Sequence, residues 1–327
     1  MARTGICRLI AILAVGAGAW CQALAQTPDG WPSRPVRLIV PGSAGTGGDL
    51  FARALAIPLG KALGQPIVVD DRVGANGIIG NDLVAKAPPD GYTVLFGNSS
   101  ALTLNAAIRS DLPYDAVKDL KPVIMLATGG ILLAALPGIH VSNVKEFLAY
   151  VRAHPGMSYG SWGVGSNGHV SMEALSEQEH LRMQHVPYRA MSALLAGLLG
   201  GEVDIAFIDV LSAAPLVRSG KLVPVAVTGT VRMPNLSEVA TMREQGIDLG
   251  FDGWYGLFVP AKTPEAIVDR LYAESMKIRK DPQWAKTFSD FNLPPVPDKS
   301  TSDFAATIRA EIPYWRRIVE AAGIKPE

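Results

Sequence analysis

The stretch of sequence that decides the fold is VRLIV at residues 36–40, which leads directly into PGSAGTGGD at residues 41–49. The first part is an apolar, β-branched run typical of a strand. The second part is a glycine-rich loop, and Asp49 at its end is suited to cap a helix. Apolar residues from Leu50 to Leu63 follow at helical spacing. Strand, loop and helix in this order indicate an α/β fold.

The same unit recurs in the second half of the chain. A short strand at residues 157–160 leads into SWGVGSNG at residues 161–168, and an apolar helix pattern follows. We predict an α/β fold with two lobes, each lobe a mainly parallel sheet flanked by helices, with a ligand cleft between them. Lobe 1 is predicted from residues 31–128 plus 230–327, and lobe 2 from residues 129–229.

The N-terminus indicates export. Arg3 and Arg8 precede an apolar stretch at residues 9–20, and the small-x-small signal at residues 23–25 predicts cleavage after Ala25. Both cysteines lie in this segment, so the mature chain would hold no disulfide and no thiolate site. We expect a periplasmic protein with residues 1–25 as its signal peptide.

Charge argues against several classes of partner. The formal net charge is zero and becomes −2 when Arg3 and Arg8 leave, and no run of lysine or arginine suggests nucleic acid. The five histidines show no H-x-x-x-H spacing. We therefore predict no metal, no cofactor and no nucleic acid, and we expect a monomer.

Each glycine loop precedes a helix, whose first N–H groups lack partners and carry a partial positive charge. Glycine also lets a ligand approach the backbone closely. Two such loops facing one cleft would suit an anion with one or two carboxylates. Alternatively, the glycines only form tight turns. The candidate ligand-binding residues of the first lobe are Ser43, Ala44, Gly45, Thr46, Gly47 and Gly48, with Asn98 and Ser99 after the third predicted strand.

The second lobe offers a further set of candidates, in which a carboxylate would be held mainly by backbone N–H groups with help from two serine hydroxyls. These candidates are Ser161, Gly163, Gly165, Ser166, Asn167, His169, Tyr188 and Asp209. His169 either contacts the ligand or is a structural histidine. Asp209 either binds a ligand ammonium or hydroxyl or caps the next helix near Ser212. Arg189 is the nearest basic residue. Trp162 and Trp254 either line the pocket or belong to the core.

An enzyme is the alternative. Gly163, Gly165 and Gly168 spell G-x-G-x-x-G, as in dinucleotide-binding proteins. However, no acidic residue ends the strand that follows, and the first loop has Leu50 where its third glycine would stand. No G-x-S-x-G pattern supports a hydrolase. We therefore expect no catalytic residues.

An ordered set of short segments resembles the substrate-binding receptors of tripartite tricarboxylate transporters, the Bug receptors. The resemblance covers nearly the whole mature chain. It implies a periplasmic-binding-protein fold that closes like a hinged clamp, small carboxylate ligands held by the two loops, and membrane transporter subunits as partners. An orphan or sensory receptor for carboxylates is a further alternative. The segments are residues 31–41, 85–93, 112–115, 186–188, 198–204, 220–222, 254–261 and 321–324.

The sequence departs from the family where the pocket is expected. Gly42, Ser43 and Gly48 replace the usual aromatic residue, proline and threonine of the first loop. The segment RAMS at residues 189–192 stands where the family usually has K-G-S-A, and Val210 replaces an asparagine. These changes leave the expected role in place, but they prevent transfer of any particular ligand.

Overall fold

The computed structural model describes residues 30–249, 251–294 and 296–324. Two five-stranded sheets form the fold, and helices flank them. The strands are Val36–Val40 (β1), Ile67–Asp71 (β2), Thr93–Asn98 (β3), Leu120–Gly129 (β4), Ile131–Ala135 (β5), Met157–Ser161 (β6), Met183–Pro187 (β7), Ile205–Asp209 (β8), Val223–Val227 (β9) and Gly253–Pro260 (β10).

The helices carry the connections between the strands. Among the described residues, none is both long and apolar enough to span a membrane. The helices are Gly47–Leu63 (α1), Ile78–Ala85 (α2), Asn105–Ile108 (α3), Val144–Ala153 (α4), Asn167–Gln178 (α5), Met191–Leu199 (α6), Val210–Arg218 (α7), Glu265–Lys280 (α8), Pro282–Asp290 (α9) and Thr301–Ala321 (α10).

The first sheet has the strand order β2-β1-β3-β10-β4, and the second has the order β7-β6-β8-β5-β9. Two lobes of α/β type are therefore present, as predicted. The prediction of mainly parallel sheets is wrong in detail, because two of the four pairings in each sheet are antiparallel.

The antiparallel pairings have a common cause. They all involve β5 or β10, the strands that enter each sheet directly after the chain crosses from the other lobe. Such a strand begins at the cleft, where the parallel strands end. It must therefore run in the opposite direction, and its first residues join the cleft wall.

Two segments assigned to lobe 1, α10 and the chain around Met233 and Phe251, also contact the second sheet. Helix α10 places Phe304 in the core of the first sheet and Trp315 in the core of the second. Met233 and Phe251 also pack against the second sheet. The predicted ranges for the lobes remain a prediction, and these contacts favour a boundary nearer Gly253 than residue 230.

Beside the first crossing, Gly130 lies against Gly229 with no space for a side chain. A Cβ atom on Gly130 would collide with the backbone nitrogen of Gly229 and would lie 2.8 Å from the Cα atom of Gly229. Beside them, the backbone N–H group of Ile131 donates to Thr228 Oγ1 over 3.0 Å, and the N–H group of Thr228 donates to the Ile131 carbonyl over 3.0 Å.

We predict that Gly130→Ala lowers the free energy of unfolding by about 1–3 kcal/mol, the usual cost of overpacking. Urea denaturation would measure the change. Gly138→Ala is the control, because a Cβ atom there meets open space. Equal free energies of unfolding for the two variants would contradict the close contact between Gly130 and Gly229.

Candidate functional site

A cleft between the two sheets is the candidate site. It lies at the ends of β1, β3, β6 and β8 and at the start of β10, and it has a free volume of about 140 Å³. Pockets for drug-sized ligands usually measure roughly 300–1,000 Å³. The cleft therefore suits a small ligand.

The first glycine loop forms one wall of the cleft, which includes Ser43, Thr46 and Gly48. The hydroxyl of Thr46 donates to the Ser43 carbonyl over 2.7 Å, and this bond fixes the turn. The side chain of Ser43 is only 8% exposed, and its Oγ has no hydrogen-bond partner among the described residues. Buried polar atoms are nearly always paired, so this hydroxyl calls for a ligand or an ordered water.

Asp49 does not cap α1 as predicted. The N-cap position is Thr46, and Asp49 lies three residues further on, within the first turn. Its carboxylate accepts the N–H group of Gly45 over 2.7 Å and forms an ion pair with Arg53 over 2.7 Å. The N–H group of Gly45 is thereby used within the loop.

The second glycine loop contributes Asn167, which begins α5. Its side chain is 3% exposed, and Oδ1 has no partner in the described part of the chain. Since the oxygen and nitrogen of an amide can be exchanged by a flip of the group, this amide can present a donor or an acceptor to the cleft. It is the second buried polar group that calls for a ligand.

The serine hydroxyls expected to assist the ligand are instead bonded within lobe 2. The Oγ of Ser161 donates to the Gly163 carbonyl over 3.0 Å and lies 2.7 Å from Nε2 of His185. The Oγ of Ser166 caps α5 by accepting the N–H group of His169 over 3.3 Å. Both side chains are fully buried beneath the loop, and neither lines the cleft.

His169 supports the loop from below, which favours the structural alternative. Its Nδ1 accepts the N–H group of Gly165 over 3.2 Å, and its ring stacks on His185 at 4.1 Å. Burial, and then the neighbouring His169, lower the pKa of His185 to about 4. The His185 ring is therefore neutral at neutral pH and brings no positive charge to the loop.

The structure divides the candidates into two groups. Seven of them line the cleft: Ser43, Thr46, Gly48, Asn98, Ser99, Asn167 and Asp209. The others lie beside it or beneath it, and their binding roles remain untested: Ala44, Gly45, Gly47, Ser161, Gly163, Gly165, Ser166, His169 and Tyr188. Gly163 and Tyr188 border a neighbouring opening, and the hydroxyl of Tyr188 donates to Glu202 over 3.0 Å.

Asn76 is a cleft residue that the sequence analysis missed. It has a left-handed backbone with φ of 48°, which asparagine tolerates better than most residues. Its amide donates to Asn105 Oδ1 over 3.0 Å and, across the cleft, to the Gly165 carbonyl over 3.3 Å. The sequence GANG at residues 74–77 is a turn signal that could have drawn attention to it.

The lobes touch directly across the cleft. The N–H group of Gly47 donates to Ser212 Oγ over 3.0 Å, and the N–H group of Asn167 donates to Ser100 Oγ over 3.1 Å. Two backbone donors that were expected to hold an anion therefore join the lobes instead. The structure shows the lobes closed.

Asp209 and Arg189 carry charge in the cleft wall. Asp209 caps α7, because its Oδ1 accepts the N–H group of Ser212 over 2.9 Å. Burial raises the pKa of Asp209. Arg189 follows β7, is exposed, and has no acidic partner among the described residues. It places a positive charge at the mouth of the cleft.

Both tryptophan candidates line the cleft. Trp162 is half-buried, whereas Trp254 is 2% exposed and its Nε1 donates to Glu311 Oε2 over 2.8 Å. Burial raises the pKa of Glu311 to about 7. Tyr255, the next residue in β10, also lines the cleft and was missed, because strand periodicity does not mark it as a site residue.

Two α/β lobes closed over a small cleft define the protein, by class, as a two-lobed solute-binding protein. Residues 51–324 match the tripartite tricarboxylate transporter family receptor. The chain belongs to this family, and the resemblance found in the sequence is confirmed.

Relatives agree with this assignment over nearly the whole chain. BugT of Bordetella pertussis is 30% identical over 324 residues, which cover 97% of this chain and 98% of BugT. Rpa4515 of R. palustris, solved with adipate, has a TM-score of 0.87 and 31% identity, covering 91% of this chain and all of that one. MatC of Rhodopseudomonas palustris, solved with malate, has a TM-score of 0.82 and 29% identity, covering 88% of this chain and all of that one.

We predict that Gly47→Ala prevents full closure of the lobes. A Cβ atom there would collide with that of Leu211 and would lie 2.8 Å from the backbone nitrogen of Ser212. Small-angle X-ray scattering should show a larger radius of gyration than in the wild type or Gly138→Ala, and ligand affinity should fall at least tenfold, or about 1.4 kcal/mol. An unchanged scattering curve and affinity would show that the Gly47 contact does not limit closure.

Proposed function

We propose that this chain is a periplasmic receptor that captures a small carboxylate and delivers it to a transporter of the tripartite tricarboxylate type. The observation that carries the proposal is the pair of buried polar atoms without partners, Ser43 Oγ and Asn167 Oδ1, on two residues that line one cleft from opposite lobes. A carboxylate leaving water needs donors to replace its hydration. These two groups, and the positive charge of Arg189 at the mouth, can supply them.

Similar proteins support the chemical class of the ligand. Rpa4515 was solved with adipate and MatC with malate, and both match this chain over at least 88% of its length. Both ligands are small carboxylates, in agreement with the free volume of the cleft. We therefore propose the same class for this chain.

Nothing in the site favours catalysis. Within the described residues, no group of three His, Cys, Asp or Glu side chains is placed to hold a metal ion. In the G-x-G-x-x-G loop, the N–H group of Gly165 already donates to His169. A dinucleotide also far exceeds about 140 Å³. We propose a receptor without enzymatic activity.

We predict that a small carboxylate raises the melting temperature of the mature protein. At a hundredfold excess over Kd, a ligand stabilises the folded state by about 2.7 kcal/mol. Thermal-shift screening and calorimetry over acetate, propionate, lactate, succinate, malate and adipate would identify the ligand. Asn167→Ala and Ser43→Ala should each lower its affinity at least tenfold, because a hydrogen bond to a charged group contributes about 1.5–3 kcal/mol.

Two further variants act as controls for this test. Ser171→Ala removes a buried hydroxyl without a partner one turn along α5, outside the cleft, and should leave affinity unchanged. Arg189→Gln should weaken binding less than about fivefold, since exposed charges contribute about 0.2–1 kcal/mol. If Arg189→Gln abolished binding while Asn167→Ala did not, the carboxylate would be held by the arginine instead.

We also predict export with cleavage after Ala25. The natural protein should begin at Gln26 and should leave cells in osmotic shock fluid, because residues 1–25 have the charge and hydropathy of a signal peptide. N-terminal sequencing and mass spectrometry would test this. A retained Met1, or a lipid on Cys21, would contradict it.

A further inference from the structure

The negative charge of Asp209 in the cleft wall is unfavourable for an anionic ligand. It lies at the end of β8 in the cleft wall, together with Val210 and Leu211 at the start of α7. Its Oδ1 accepts the N–H group of Ser212, but no lysine, arginine or histidine in the described part of the chain forms an ion pair with it. A carboxylate in this position repels a second carboxylate placed against it.

Asp49, the other acidic residue of the described wall, has a cation beside it. Asp49 is 2% exposed, but its carboxylate is paired with Arg53 and accepts the N–H group of Gly45. Arg53 also pairs with Asp71, which lies outside the wall, so the two carboxylates share one guanidinium within lobe 1. Asp209 is the acidic group of the described wall that has no cation beside it.

Asp209 is partly buried beside Tyr255 in the cleft wall. Burial raises the pKa of Asp209, and burial together with the nearby charge of Asp209 raises the pKa of Tyr255 well above its ordinary value. Tyr255 therefore keeps its proton. Gly48 of the first loop packs near its ring, since a Cβ atom on Gly48 would lie 3.5 Å from the ring of Tyr255.

We infer that the ligand carries, besides its carboxylate, a hydrogen-bond donor that faces Asp209: a hydroxyl or an ammonium group. The carboxylate contacts Asn167 and Ser43, and the donor faces the Asp209 carboxylate, which hydrogen-bonds to Leu211 and Ser212 of α7 but to no cation. Specificity then arises from repulsion as well as attraction, because a plain dicarboxylate meets a like charge where the hydroxy acid or amino acid meets an acceptor. This inference rests on the proposed function.

Matched ligand pairs test the inference by calorimetry on the mature protein. Malate differs from succinate by one hydroxyl, and lactate and alanine differ from propionate by a hydroxyl and an ammonium group. We expect at least one ligand that carries the donor to bind tenfold or more tightly than its partner without it. Affinities within threefold in all pairs would overturn the inference and leave the proposed function intact. Failure of every carboxylate to bind would overturn both.

The Asp209→Asn variant tests the inference more directly than the ligand pairs do. Asparagine is as good an N-cap as aspartate, so its oxygen can still accept from Ser212, which turns the amide NH₂ toward the cleft. That group donates, so the preference should invert in favour of the plain carboxylate. Asp204→Asn, near the start of β8 and outside the cleft, removes the same charge as a control. An Asp209→Asn variant that folds and keeps the original preference would show that Asp209 only caps α7.

Discussion

The two crossings of the chain lie side by side, with Gly129 paired to Gly253, and the rest of the structure depends on this constraint. A Cβ atom on Gly253 would lie 3.2 Å from the Gly129 carbonyl oxygen, and one on Gly130 would press on the backbone of Gly229, so glycine permits the close packing at this point. The crossing strands must then start or end at the cleft. This fixes the antiparallel direction of β5 and β10 and brings their first residues, Ile131 and Tyr255 among them, into the cleft wall.

Glycines of the loops allow close packing as well as approach of a ligand. Gly47 lies against Leu211 of the other lobe, and Gly168 lies against the ring of Trp162 in its own loop. Neighbouring N–H groups are satisfied by side chains, Gly45 by Asp49 and Gly165 by His169. These bonds hold the loops in shape without a ligand. Other side chains of the cleft wall can then change in identity without altering the loops.

Much of this architecture could be predicted from the sequence, because strand, glycine loop and helix recur with clear periodicity. The predicted strands at residues 36–40 and 157–160 match β1 and β6 closely, and the two glycine loops lead into α1 and α5. Helices α4 and α9 lie outside this recurring unit, which therefore does not predict them. The hydrogen bonds of Ser161 and Ser166 within lobe 2 were not predicted. Sequence spacing shows that a hydroxyl is near a loop, but the hydrogen bond it makes depends on partners such as His185, which is 24 residues away from Ser161.

The arrangement separates closure from recognition. Closure depends on bonds between the lobes, such as those from Gly47 to Ser212 and from Asn167 to Ser100, which do not involve the ligand. In the proposed function, recognition depends on Ser43, Asp209 and the amide of Asn167. Ser43 stands where the family usually has proline, and Val210, next to Asp209, stands where it usually has asparagine. Substitutions of this kind change what the cleft accepts without changing the N–H contacts that close it, so one fold can serve many carboxylates.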